Sequence, residues 1–337
     1  MKKFSYQVGI DVAKDTLDCT VLQEGQSIGY HRISNTSKAI RCYLRQLAKE
    51  GVVLSDTLFC MEHTGIYNAH VLQALIEGSH AICLEAAMRI KSAIGFTRGK
   101  NDKVDSYRIA RYAYLHQDQL RLWVPKREVV QQLAHLVTLR KRLLKTKVML
   151  QQPLKETKQF LGKAAFSTEK AATDPVVKAT ERQLKQVDKQ IQQLIRQDEQ
   201  LYQLFEVITS VDAVGPVTAS HLLVVTNEFK NFTCPKKFAC YAGTAPFENS
   251  SGSSLRGKSQ VSPWANKETK KLLHMVAMSA INMQGDLAQY YQRKVGEGKN
   301  KMNVNVINAV RNKVIKRIFA CVRDKRKYEK NYTMALA

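Results

Sequence analysis

Asp102 and Asp105 stand three residues apart in the stretch FTRGKNDKVDSYRIARY, residues 96–112, among Arg98, Lys100, Lys103, Arg108 and Arg111. On a helix, positions i and i+3 share a face, so both carboxylates point the same way. Such a pair in basic surroundings has two uses. It belongs to a solvated ion-pair network, or it holds a divalent metal beside a phosphate, the bases drawing the polyanion and the acids keeping the cation. Two more acids bear on the choice. Asp11 interrupts the apolar run VGIDVA, and Glu62 follows LFCM directly, ahead of His63-Thr64-Gly65. An acid flanked by buried residues is costly unless it is paired or binds a metal. Four carboxylates meeting at one end of a sheet would suit one or two Mg²⁺ ions, because hard oxygen donors prefer hard cations. His63, a lone histidine, reads as a helix-start or core residue.

A second stretch offers nucleophilic chemistry. Residues 238–262, FACYAGTAPFENSSGSSLRGKSQVS, are dense in small hydroxyl residues, with Ser250, Ser251, Gly252 and Gly257 beside Arg256 and Lys258. Composition alone makes this a flexible loop. Its functional alternative is a serine nucleophile, with glycine permitting close phosphate approach and the two bases countering negative charge.

The elements that must position these groups follow from periodicity. YQVGIDVA, TLDCTVLQEG and SIGYHRI read as three short strands in an antiparallel meander. A helix is predicted over 38–49, a buried strand over 56–61, a helix over 66–77 and a strand over 81–85. Closed by a helix bearing Asp102 and Asp105, this is the element order of a ribonuclease-H-like domain, with Asp11 on the first strand and Glu62 ending the fourth.

Residues 128–161 turn helical, with a break or kink predicted at Pro153. A loop or hairpin connection is expected over 163–175. A heptad seam then runs through Leu184, Val187, Ile191, Leu194, Asp198, Leu201, Phe205 and Ile208. Two long helices of this kind make either a dimer contact or a hairpin within one chain. ITSVDAVGPVTASHLLVV, residues 208–225, resembles a helix-hairpin-helix turn, whose backbone N–H groups meet phosphate, although Ala213 stands where the first glycine is usual. Near the end, Val310, Val314, Ile318 and Phe319 define the buried side of a basic amphipathic helix.

Composition narrows the partner. The 337 residues carry 53 Lys+Arg against 29 Asp+Glu, a net charge of +24, which points to a polyanion. The excess is concentrated. Residues 89–158 hold 17 bases against 5 acids, and residues 292–337 hold 13 against 3. Seven cysteines are scattered and never spaced C-x-x-C, which excludes a zinc or disulfide framework and fits a reducing cytosol. Neither a signal peptide nor a membrane span is expected.

GIDVAK with Asp11, MEHTGIY with Glu62, GKNDKVDSYRIA with Asp102 and Asp105, and YAGTAPFENSSGSSLRGKSQVS together resemble the DEDD-type transposases of the insertion-sequence one-ten family. That family includes the Piv invertases and the bridge-RNA-guided recombinases. The resemblance implies an α/β plus α architecture. Its parts would be a RuvC-like (ribonuclease-H-like) domain over 1–125, a coiled-coil helical spacer over 126–206 and a small, mostly helical transposase domain over 207–337. It implies metal-ligand roles for Asp11, Glu62, Asp102 and Asp105, with Mg²⁺ as cofactor. The catalytic serine, which precedes the glycine of the SG-S motif, falls on Ser251, with Ser250 adjacent. Arg98, Lys100, Lys103, Arg108, Arg256 and Lys258 are the expected nucleic-acid contacts. Expected partners are donor and target DNA, a structured guide RNA from the element and further copies of the chain, as a dimer or a synaptic tetramer. The expected location is the bacterial cytoplasm, at the nucleoid. The chain departs from the family pattern at Ser262-Pro263-Trp264-Ala265-Asn266-Lys267, where a lysine-glycine turn is common, and at Ala213. Two other readings use the same residues: a junction-resolving nuclease with water as nucleophile, and a non-catalytic nucleic-acid scaffold.

Overall fold

A computed structural model describes residues 3–94, 101–251, 255–296 and 304–330, with backbone alone at 248–251, 255–259 and 304. The chain divides into two compact units, Met1–Pro125 and Lys126–Ala337.

The first unit is built on strands whose apolar runs are buried on both faces. Its strands are β1 (Tyr6–Val12), β2 (Thr16–Gln23), β3 (Gln26–Ser34), β4 (Thr57–Glu62) and β5 (Ala81–Glu85). They form one sheet in the order β3-β2-β1-β4-β5, with β1–β2–β3 an antiparallel meander and β4 and β5 parallel to β1. Four helices accompany it: α1 (Ser37–Lys49), α2 (Ala69–Glu77), α3 (Ala87–Ile94) and α4 (Asp102–His116).

Successive strand residues point to opposite faces. Val8, Ile10, Leu17, Cys19, Phe59 and Met61 therefore share a core with Ile40 and Leu47 of α1 and Val71 and Leu75 of α2. On the other face Leu58, Cys60 and Cys83 pack with Ile109, Tyr112 and Ala113 of α4. Asp11 and Glu62 alternate onto this second face, beneath α4.

Among its described residues the second unit is helical except for one ladder. Its helices are α5 (Glu128–Phe160), α6 (Gly162–Gln197), α7 (Glu199–Thr209), α8 (Pro216–Thr226), α9 (Pro235–Tyr241), α10 (Lys267–Asn282), α11 (Asp286–Gly296) and α12 (Val304–Arg323). Strands β6 (Pro246–Ser251) and β7 (Leu255–Val261) pair antiparallel.

The expected connection over 163–175 is helix instead. The chain turns at Leu161 and Gly162, the glycine at φ 82°, and α6 begins at once. Arg140 pairs with Asp188 and Lys147 with Glu181, seven residues apart on each helix and in opposite directions, so α5 and α6 lie antiparallel. Nor does Pro153 end α5, and Pro175 lies inside α6. Each proline forfeits one backbone bond, which packing along helices of 33 and 36 residues offsets.

The seam is also interrupted. Asp198 ends α6 and caps α7 by accepting from the Leu201 N–H at 2.9 Å. Its carboxylate also takes both ends of a fork from Arg127, at 2.8 Å each, and the same guanidinium holds Glu228, whose side chain is fully buried. One core joins Val130 and Leu133 of α5, Ile191 and Ile195 of α6, Leu222 of α8, Leu273 of α10, and Val310, Val314 and Ile318 of α12.

Candidate active site

Asp11 is the centre of the acidic group. Burial first, then the charges of Asp105, Glu62, Asp102 and Asp18 in that order, push its carboxyl up to about 6. Glu62 is raised as well, by burial and by Asp105, against the opposing charge of Lys91. The four acids picked out in the sequence thus lie in one electrostatic field, although they come from β1, β4 and α4.

Local structure explains their convergence. β1 and β4 are parallel neighbours, so Asp11 and Glu62 sit at the same end of the sheet. α4 crosses β1 at Gly9, where an added Cβ would lie 2.2 Å from the Ala110 nitrogen and 2.3 Å from the Ser106 carbonyl oxygen. A hydrogen bond of 2.8 Å between the Ser106 and Thr20 hydroxyls ties the same helix to β2. Asn101 caps α4, accepting from the Lys103 N–H at 3.1 Å. Asp102 and Asp105 then fall in the first turn, where the helix dipole favours anions. After Glu62, buried Asn68 donates to the Glu62 carbonyl at 2.9 Å and accepts from the Thr64 N–H at 2.7 Å, fixing the chain as it leaves the strand.

The basic neighbours are partly engaged. Arg108 pairs with Asp105 at 2.9 Å, and Lys103 lies 5.0 Å from the Tyr30 ring centre. Arg98 and Lys100 lie outside the described residues. Among the described residues, no three His, Cys, Asp or Glu side chains stand close enough together to hold a metal ion. The donor set nevertheless matches a hard divalent cation. Four carboxylates, two of them raised by burial and by neighbouring acids, are what such an ion would relieve.

Three residues enter that the sequence reading left out. Asp18 sits directly across from Asp11 in the β1–β2 register and is 2% exposed. It accepts a hydrogen bond from the Tyr30 hydroxyl. Arg32 stands 3.9 Å from Asp18 and 3.8 Å from Asp102, linking the meander to the start of α4. Of the three, Asp18 had a signal in the sequence, since it interrupts TLDCTV as Asp11 interrupts VGIDVA.

Ser251 belongs to the second unit. It closes β6 in register with Leu255, and Ser250 pairs with Arg256. The expected flexible loop is, over its described backbone, a two-stranded ladder. Its approach is fastened on both sides. Asn308 and Asn312 of α12 donate to the Thr244 carbonyl at 2.6 and 2.8 Å, and the Asn266 N–H donates to the Tyr241 carbonyl at 2.8 Å. In the helix-hairpin-helix-like turn, Ala213 adopts φ 66°, the left-handed conformation a glycine would take there.

A meander extended by two parallel strands, with acids gathered beneath a closing helix, defines a ribonuclease-H-like domain with a carboxylate site. Comparison with known proteins gives the family. Residues 8–160 match the DEDD transposase model of the IS110 group, and residues 205–292 match the transposase model of the IS116/IS110/IS902 family. The chain belongs to this family of transposases and recombinases. The pilin gene-inverting protein of Moraxella lacunata is 26% identical over 96% of this chain and 97% of its own. An IS110 protein of Streptomyces coelicolor is 30% identical over 38% of this chain and 31% of its own. Among solved structures, Thermus thermophilus RuvC in complex with a Holliday junction substrate aligns with 35% of this chain and 99% of its own, at 12% identity and a TM-score of 0.28. No helix of the described residues is long and apolar enough to cross a membrane.

Proposed function

We propose that the chain is a DNA strand-exchange enzyme that cuts and rejoins through a covalent phosphoserine. Asp11, Glu62, Asp102 and Asp105 hold one or two Mg²⁺ ions, and Ser251 is the nucleophile. The observation that carries the reading is the shared field of the four acids, seen in the raised Asp11 carboxyl. When bound, such an ion offsets charge on a phosphate under attack and on the serine oxygen.

The chain's own groups supply the remainder. The Ser251 hydroxyl oxygen bonds to phosphorus while the bond from phosphorus to one bridging DNA oxygen breaks. The serine proton passes to solvent, and the departing oxygen takes one up. A free hydroxyl of the partner duplex then attacks the phosphoserine and restores the serine, so one phosphodiester replaces another and no ATP is consumed. Lys103 and Arg108, with Arg98, Lys100, Arg256 and Lys258, counter the phosphate charge. A structured RNA from the element's non-coding end guides the choice of DNA, and the working form is a homo-oligomer in the cytoplasm.

The test is a covalent-adduct assay with protein, Mg²⁺, flanking element DNA and that RNA, resolved on a denaturing gel. A slow protein–DNA species is expected, lost in Ser251→Ala and retained at less than about a hundredth in Asp102→Asn. Adduct formation by Ser251→Ala would refute the nucleophile, and adduct formation without RNA would refute guidance. A second reading is favoured by one observation: the acids and Ser251 lie in different units. A junction-resolving nuclease would use the acids with water and leave nicked DNA without an adduct.

A further inference from the structure

The second unit holds a cleft of about 760 Å³ that the serine chemistry does not use. Its walls come from four helices, with Leu144 and Val148 on α5, Ile191 on α6, Val217 on α8 and Leu272 on α10. Leu144, Val148 and Val217 are 42%, 49% and 38% exposed, so aliphatic carbon faces the opening. Around it stand Arg140, Lys141, Lys145, Lys267 and Lys271. Arg140 is neutralised by Asp188 and Lys141 by Glu268, the two acids of the lining. Among the described residues, Lys145, Lys267 and Lys271 have no acidic partner.

An aliphatic wall beneath uncompensated lysines selects a ligand with an apolar flat face and anionic edges. A nucleotide has that shape and charge. In a duplex the bases are stacked away and the backbone alone is presented, so only an unpaired nucleotide can enter such a cleft. Strand exchange necessarily passes through DNA that has left its old partner and not yet met its new one.

We propose that this cleft holds an unpaired DNA nucleotide. Its base lies against Leu144, Val148 and Val217, and its flanking phosphates meet Lys145, Lys267 and Lys271. The inference rests on the strand-exchange reading and adds a single-strand site to the unit that carries Ser251. The lining contains no Phe, Tyr or Trp, so binding is tolerant of base identity and owes much of its strength to phosphate charge.

The experiment is fluorescence anisotropy with a labelled oligo-dT strand, a duplex and an oligo-U strand, over a salt series. Leu144→Gln with Val217→Thr makes the wall polar and keeps its volume and every lysine. Leu144→Ala with Val217→Ala removes the wall instead, and thermal melts check that both variants fold. Each double variant is expected to weaken oligo-dT binding at least about threefold and to leave the duplex unchanged. Replacing Lys145 and Lys271 by Gln together is expected to flatten the salt dependence of log K by about 1.4. Folded wall variants that bind oligo-dT like the wild type would overturn the proposal. So would an effect confined to oligo-U, which would make the occupant RNA, or a loss of self-association with DNA binding intact, which would make it a second copy of the chain. If the wild type bound neither single strand nor duplex, the strand-exchange reading would itself fall.

Discussion

Asp11 is held against its own preference. Its folded carboxyl titrates near 6, above the ordinary carboxylate value of 3.8, because burial and neighbouring acids disfavour the charge. The folded state therefore binds a proton more readily than the unfolded chain. The linked stability is fully present below about pH 4 and is lost as pH rises through 6. In chelator-treated protein, Asp11→Asn removes that loss. Its melting temperature is expected to equal the wild type's near pH 4 and to exceed it by a few degrees at pH 7, about 1–2 kcal/mol after solvent screening. Equal melting temperatures at both pH values would show that the acids do not share a field. The adduct assay should move the other way, with Asp11→Asn inactive at pH 7. A residue that destabilises the fold and is needed for the reaction belongs to a site, whereas a residue of a surface ion-pair network would cost stability when removed. The same contrast separates Asp11 from Arg108, which already has its partner in Asp105.

At the scale of elements, the first unit was legible because apolar runs and element order are local properties. VGIDVA, TLDCTV and LFCM each read as a strand buried on both faces, and Asp11 and Glu62 stand out as the acids within or directly after such runs. What the sequence concealed was contact between distant residues: the Asp18–Tyr30–Arg32 link, the Asn68 clamp behind Glu62, and the closeness of α4 to β1. The second unit was harder to read. Proline and a polar Ser-Thr-Asp-Pro stretch signal a break locally, yet residues 163–175 are helical because α5 supplies an antiparallel partner along their length. Asp198, a polar member of the seam, ends α6 and caps α7. Gly9 is the element-scale position that matters most for the site. A methyl group there would strike backbone atoms of α4, which cannot rotate away. Gly9→Ala is expected to cost about 1–3 kcal/mol in urea unfolding. It should also lower adduct formation more than about tenfold at temperatures where the variant remains folded, since Asp102 and Asp105 ride on the displaced helix. A folded Gly9→Ala with wild-type activity would mean that the α4 acids need not stand beside β1.

For the whole molecule, the proposed chemistry is divided between two units. The first unit, Met1–Pro125, holds all four acids, and the second holds Ser251 and the hairpin of α5 and α6. On the proposed function, a net charge of +24 would keep separate copies apart in free solution and draw them together on nucleic acid, coupling assembly to substrate binding. A site whose acids and serine came from different copies would then assemble only on DNA. Mixing two inactive variants tests this. Asp11→Asn retains the serine, and Ser251→Ala retains the acids. In a two-fold dimer formed at random from equal amounts, half the dimers are mixed, and each mixed dimer has one intact site if the parts combine in trans. Adduct is then expected at about a quarter of the wild-type level, carried entirely by the Asp11→Asn chain. If acids and serine combine within one chain, every site in the mixture lacks one part and no adduct forms. A size tag on one variant identifies which copy carries the DNA, and so which copy supplies the serine.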